Sequence, residues 1–527
     1  MGEARHYKPT YHAYIPKGWC NDPNGMIYYN GTNHLYFQHY PYNAAWGTMH
    51  WGHFTSKDFI KWELQPVALR PDQDYEVICG CCSGNAVEKD GKLYIMYTAA
   101  QPDRQRQCLA WSEDGGITFT KEPSNPILTA EMLSPEVSTR DFRDPKIFEK
   151  DGWYYCLYGC RIIDPDKPLP DGVLYRTNVS GAAMVHHPGR AVSGRTVSGG
   201  GFEGEYFPGY GNLILTRSKD LYHWEYVGKL IYRQEGFDEA YYTLNGVYEC
   251  PDYFVSNGQD IILSSPQNLP PMGHHYWNQH SVVYILGKLD FETGAYVVES
   301  FNELDNGFDI YASQAMHLPD GRTVMISWKE MWDRNVPMRA DGWGGTYTLP
   351  REVEFKKGRL YQYPVREIYN YRQNKVEASG LKVKDGSASV EGVEGDKIEL
   401  DVTFCPGDAK KAGVKFFVGT EHETLVYYDA DLKAVVFDRA KSGITPEGVE
   451  PNLTVRYCDL DEVTDRIRFQ IFLDVCSAEI FINDGRFTMT GNMFPDEEDT
   501  GVVFFSEGEC QFESIVKYDI VVEQTIG

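Results

Sequence analysis

Long apolar runs are missing from this 527-residue chain: no stretch approaches the roughly 20 apolar residues that cross a bilayer. The opening Met1-Gly2-Glu3-Ala4-Arg5-His6 has no apolar core of a secretory signal, and a membrane partner is not expected. Basic charge is in deficit. With 50 Lys and Arg against 76 Asp and Glu, the net charge is -26, so a polyanion such as nucleic acid would be repelled over most of the surface. The 12 cysteines lack the paired spacings of a disulfide scaffold, which predicts a reducing cytoplasm. Cys79, Cys81 and Cys82 have no His or Cys pair at finger spacing to complete a metal site, and read as buried small residues. Neither a metal nor a cofactor is expected. Helical periodicity over long windows is also hard to find.

What is present is aromatic and turn-rich. Aromatics make up 14 % of the chain, with 37 Tyr and 11 Trp, and the 50 Gly and 28 Pro fall in short clusters, a composition suited to many short strands joined by turns. An Asn-Gly or Asp-Gly turn followed by an apolar run recurs at Asn30-Gly31, Asp90-Gly91, Asp151-Gly152, Asn257-Gly258 and Asp320-Gly321. Such dipeptides between alternating strands are the strongest short-range hairpin signal. Five hairpins at a roughly constant interval predict a five-bladed β-propeller over residues 1–362. Ser56-Lys57-Asp58, Ser112-Glu113-Asp114 and Ser218-Lys219-Asp220 read as the outer hairpins of three blades. One interval is longer and marks an insertion in blade three at about 160–211, which shapes the leaving-group side of a site or serves an oligomer contact. After a polar connector at 363–375, alternating runs such as Arg468-Phe469-Gln470-Ile471-Phe472-Leu473 predict an antiparallel β-sandwich over 376–527. The fold class is all-β.

The repeat also locates three acids. Asp22 precedes its turn by eight residues, Asp144 by seven and Glu249 by eight, which puts each at the start of the first strand of its blade and at one mouth of the propeller. Ser83 and Ser313 hold the matching place in the other two blades. Arg143 is expected to keep its neighbour Asp144 ionised and oriented. Two carboxyl groups flanking a scissile bond are what glycoside hydrolysis requires, and Glu249, in apolar surroundings before Cys250-Pro251, is the candidate proton donor.

Trp19-Cys20-Asn21-Asp22-Pro23-Asn24-Gly25, Phe142-Arg143-Asp144-Pro145 and Glu249-Cys250-Pro251 resemble the three signatures of glycoside hydrolase family 32, which contains invertases, inulinases, levanases and sucrose-6-phosphate hydrolases. The resemblance extends through Gln38, Trp46 to His53, Asp305 to Gln314, Leu349 to Glu352, and Phe472 to Gly485. It implies a retaining mechanism on a terminal β-fructofuranosyl unit, with Asp22 as nucleophile, Glu249 as acid and base, and Asp144 as stabiliser. It further implies that Asn21, Gln38, Trp46, Ser83 and Arg143 surround the fructose ring and that Asp309 helps to hold the second sugar. The expected substrates are sucrose and short fructo-oligosaccharides, with longer fructans or sucrose 6-phosphate as alternatives and a non-catalytic fructan-binding protein as the rival of another class. The chain departs from the family pattern at Cys82, where an aromatic residue usually precedes Ser-Gly.

Overall fold

Each of the five turns closes a hairpin whose first strand lies innermost. The inner strands are Gly18–Tyr29, Gly80–Lys89, Val137–Lys150, Tyr248–Ser256 and Tyr311–His317; each touches the inner strands of both neighbouring blades, so the five close a ring. In four turns both central residues are left-handed, as at Asn30 (φ 49°) and Gly31 (φ 74°), the conformation whose twist matches a two-residue hairpin. At the fifth turn Gly321 is left-handed (φ 89°) and Asp320 is not.

This computed structural model describes residues 7–101, 103–164, 209–231, 247–267, 269, 271–332, 334–446, 453–460, 465–523 and 526, with the backbone of 174–177 and 183–186. Most of the expected insertion at 160–211 lies outside the described residues. Two short paired strands, Leu174–Thr177 and Ala183–His186, belong to it.

In all five blades the strands that run outward from the axis pair antiparallel. Alternation decides what each strand face meets. In Lys92–Gln101, Leu93, Ile95 and Tyr97 pack toward Tyr36 and Trp51 of blade one, whereas Met96 packs toward Phe142 and Ile147 of blade three. The Ser-x-Asp motifs close outer turns. Asp58 Oδ1 accepts from the backbone N–H groups of Ile60 (3.0 Å) and Lys61 (2.9 Å), and Asp114 and Asp220 make the equivalent bonds. Blade one alone takes a late strand: Trp343–Gly344 lies parallel to Gly18–Tyr29, pairing at Gly18 and Trp19.

The last propeller strand ends at Pro364, a short 3-10 turn spans Arg366–Tyr371, and the first sandwich strand starts at Arg372. The C-terminal region is a single ten-stranded, nearly closed antiparallel sheet with one core. Its long strand Gly501–Ile520 pairs with three others. Phe416, Phe417 and Tyr428 are buried in it.

Buried charges join the two regions. His12 lies between Asp474 (Nδ1 to Oδ2, 2.7 Å) and Glu479 (Nε2 to Oε1, 2.8 Å), and Arg351 bridges Glu479 (2.6 Å) and Asp305 (3.1 Å). Among the described residues no helix is long and apolar enough to cross a membrane.

Candidate active site

Every inner strand carries a register shift near the same mouth: between Cys20 and Pro23, Cys82 and Gly84, Arg143 and Lys146, Glu249 and Asp252, and Tyr311 and Gln314. A β-bulge re-aims side chains by setting two residues of one strand against one of its partner. Asp144 (φ 60°), Cys250 (φ 46°) and Ala312 (φ 53°) are left-handed at these bulges, a conformation that costs energy for residues with a Cβ.

Pairing corrects the register inferred from turn spacing. Arg143 pairs with Gly159 and Glu249 with Ser265, each just ahead of its bulge. Arg143 and Glu249 therefore hold equivalent places, and Asp144 is equivalent to Cys250. The acids still converge, because the bulges turn consecutive residues toward one space.

At Asp22, Ser83 Oγ donates to Oδ2 (2.6 Å) and Asn21 Nδ2 donates to Oδ1 (3.0 Å). Asn21 is held in turn by Trp19 Nε1 (2.9 Å). The Cys250 thiol lies 3.4 Å from Asp22 Oδ2 and 3.7 Å from Asp144 Oδ2, and the Cys250 N–H donates to that Asp144 oxygen at 2.9 Å. The guanidinium of Arg143 is placed differently from expectation. Its Nε and Nη2 both donate to Glu249 Oε1 (3.1 and 3.0 Å), and its Nη1 reaches Gln105 and Asp141 at 3.3 Å. The other Glu249 oxygen accepts from the Tyr311 hydroxyl at 2.5 Å.

The three acids are nearly but not fully buried, with 8 %, 6 % and 8 % of their surface exposed for Asp22, Asp144 and Glu249. Burial pushes the Asp22 carboxyl up, opposed chiefly by the Ser83 hydrogen bond and reinforced by the charge of Glu249. Burial likewise lifts Asp144 to about 7 against the pull of Arg143, with Glu249 and Asp22 adding to the rise. Asp22 and Asp144, both shifted up, resist ionising together, so one can hold a proton while the other presents an anion.

The structure thus brings together Asp22, Asp144, Glu249, Asn21, Ser83 and Arg143. Gln38 lies on the second strand opposite the bulge that carries Asn21 and Asp22, between the pairs His39–Cys20 and Phe37–Pro23, and its Nε2 donates to the Cys81 carbonyl (3.0 Å). Trp46 is half-buried against Cys79, Cys82 and Ala100, an apolar cluster at the place where the family pattern has an aromatic residue. Asp309 does not join the group: its oxygens bind Arg334 Nε (3.1 Å) and Arg439 Nη1 (2.6 Å), and the Asn492 N–H (2.8 Å), which makes it a buried pin between propeller and sandwich. Tyr311, Cys250, Gln105 and Asp141 were missed in the sequence. Tyr311 was open to discovery, since it stands in blade five where Glu249 stands in blade four.

A cavity of about 700 Å³ opens at the other end of the axis, near the hairpin turns, over the buried pair Lys146 and Asp252; none of the three acids lines it. Among the described residues His422, Asp496 and Asp499, on the sandwich, place three ligand atoms within 4.8 Å of one another.

Residues 12–168 and 204–364 match the glycosyl hydrolases family 32 N-terminal domain, and 367–520 match the C-terminal domain of the same family. The chain belongs to glycoside hydrolase family 32, and is a glycoside hydrolase. It is 32 % identical to a sucrose-6-phosphate hydrolase of Zymomonas mobilis, over 97 % of this chain and 92 % of that one. It is 31 % identical to a raffinose invertase of Escherichia coli, over 93 % and 90 %. The structure of a sucrose-6-phosphate hydrolase from Lactobacillus gasseri superposes with a TM-score of 0.78 at 27 % identity, covering 98 % and 93 % of the two chains.

Proposed function

We propose that this hydrolase releases terminal β-D-fructofuranosyl units from sucrose and short fructo-oligosaccharides through a covalent fructosyl-enzyme. The observation that carries the reading is the single thiol of Cys250, within 3.4 Å of Asp22 and 3.7 Å of Asp144, one residue from Glu249: three carboxyl groups meet in one opening. Asp22, aimed by Ser83 and Asn21, attacks the anomeric carbon. Glu249, held by Tyr311 and Arg143, protonates the departing oxygen and then takes a proton from the water that releases fructose. Asp144 accepts hydrogen bonds from ring hydroxyls, which would draw its raised pKa back down.

Two of the relatives described above carry the name sucrose-6-phosphate hydrolase, which supports the phosphorylated disaccharide as the second reading. All 12 cysteines are free thiols, in keeping with a reducing cytoplasm. Incubation with sucrose, kestose, inulin, levan and sucrose 6-phosphate, followed by chromatography of the products, tests both readings. Free fructose from sucrose and kestose is the expected result. Cleavage of sucrose 6-phosphate alone would replace the first reading by the second, and binding without turnover of any of the five would refute both.

A further inference from the structure

Blade two faces the acids with sulfur. Cys79 and Cys82 stand three residues apart, and Gly80 between them is left-handed at φ 93°, with no room for a Cβ because the Met49 backbone would lie 2.3 Å away. Met49 pins this kink from both sides: its N–H donates to the Cys79 carbonyl and its own carbonyl accepts from the Cys81 N–H, each at 2.9 Å. Past the kink Cys81 turns toward Ala99 and Cys108. Cys79 and Cys82 instead share one cluster with Ala100 and Trp46. The Cys82 sulfur folds back to 3.9 Å from the Cys79 carbonyl oxygen, and Cys79 is the first of the neighbouring groups whose charge would act on it, ahead of Asp144, Arg143 and Asp22. The next residue, Ser83, is the one that donates to Asp22 at 2.6 Å.

We propose that Cys79 and Cys82 form a dithiol modification site that takes low-molecular-weight disulfides and, once oxidised, shuts down catalysis in the adjoining funnel. The Cys-x-x-Cys spacing is that of dithiol redox pairs. Cys82 is the more exposed residue of the two, at 9 % against 1 % for Cys79, and is taken as the one that attacks the small disulfide first. As a thiolate it displaces one half of the small disulfide and forms a mixed disulfide. Cys79, deprotonated in its turn, attacks the Cys82 sulfur and expels the second half. The protein gives up two protons and two electrons, and one small disulfide becomes two thiols. Burial holds the Cys79 thiol up to about 12 and raises that of Cys82 too, so exchange is slow at neutral pH and quickens as pH rises. Bond formation requires the two β-carbons to come within about 4.5 Å. That pull draws Cys82 away from Trp46 and carries the Ser83 hydroxyl off Asp22.

The loss of function rests on the reading of Asp22 given above, whereas the cross-link itself does not. Wild type, Cys79→Ser and Cys81→Ser are incubated with glutathione disulfide at mildly alkaline pH. Each is then assayed on sucrose against its own untreated sample, and unreduced peptides are mapped by mass. The wild type and Cys81→Ser are expected to lose two hydrogens across a Cys79–Cys82 bond and at least about tenfold in activity, the equivalent of one charge-assisted hydrogen bond, with recovery in dithiothreitol. Cys79→Ser should stop at the mixed disulfide on Cys82. A wild type that forms no Cys79–Cys82 bond, or forms it and keeps its activity, overturns the proposal, as does equal inactivation of a Cys79→Ser/Cys82→Ser variant. If untreated wild type cleaves no fructoside but the bond forms, the fault lies with the functional reading.

Discussion

The Tyr311 hydroxyl donates to Glu249 Oε2 at 2.5 Å while Arg143 occupies the other oxygen, so the carboxyl group is gripped from two blades at once. Tyr311→Phe removes one grip and leaves the ring in place. A hydrogen bond to a charged group is worth about 1.5 to 3 kcal/mol, so kcat on sucrose should fall by about 10- to 100-fold. An aryl fructoside, whose leaving group needs little protonation, should be less affected. Equal losses on the two substrates would detach Tyr311 from proton transfer.

Replacing the acids themselves separates their roles. Asp22→Asn should abolish turnover of every fructoside and retain binding, because no covalent intermediate forms without the carboxylate. Glu249→Gln should lose about 10² to 10⁴ in rate on sucrose, cleave an aryl fructoside far better in its first step, and recover the second step with azide. Turnover by Asp22→Asn close to that of wild type would return Asp22 to a turn residue, and a Glu249→Gln enzyme deaf to azide would lose its assignment.

Asp309 offers a test of the correction made above. Asp309→Asn leaves Arg334 and Arg439 without their shared carboxylate inside the junction, and breaking a buried pair in this way costs about 3 to 5 kcal/mol. Thermal denaturation should show a clear drop in Tm. The kcat/KM of the protein that remains folded should stay within about twofold on sucrose and kestose alike, since a hydroxyl contact would be worth more than that. A selective rise in KM with Tm unchanged would put Asp309 back beside the second sugar.

The junction also sets an acid limit. Arg351 and His12 hold the buried Glu479 at about 2, below its ordinary 4.5, and Asp474 is lowered in the same direction by His12. A depressed folded-state pKa gives stability that is fully present above the unfolded value and is lost as pH falls toward the folded one. Between pH 4.5 and about 2 the wild type should therefore lose Tm steeply. Glu479→Gln should start lower at neutral pH and fall less over the same interval. Parallel Tm profiles would remove Glu479 from the acid response.

The hairpin turns made the blades countable, since Asn-Gly and Asp-Gly stand where two left-handed residues are needed. The acids were legible for the same reason, as was Ser83. What spacing could not supply was the register inside the bulges: the guanidinium of Arg143 hydrogen-bonds Glu249 while its charge still favours the ionised form of Asp144. The role of Asp309 was hidden because Arg334 and Arg439 reach it from distant parts of the chain. Trp46 and Cys82 are neighbours only in space, so the sequence showed the departure at Cys82 without showing what packs beside it.

The parallel pairing of Trp343–Gly344 with the strand that bears Asp22 also fixes an order of assembly during synthesis. Residue 22 leaves the ribosome early, yet blade one waits for more than three hundred further residues before its sheet is complete, and His12 waits longer still for Asp474 and Glu479. Domains tend to fold as they emerge, but here the first blade translated is finished only after blades two to four, its late strand lying inside the stretch that also completes blade five. A chain cut short before Trp343 would carry all three acids and all five inner strands, but neither the late strand of blade one nor the outer two strands of blade five, so its ring would close on two unfinished blades.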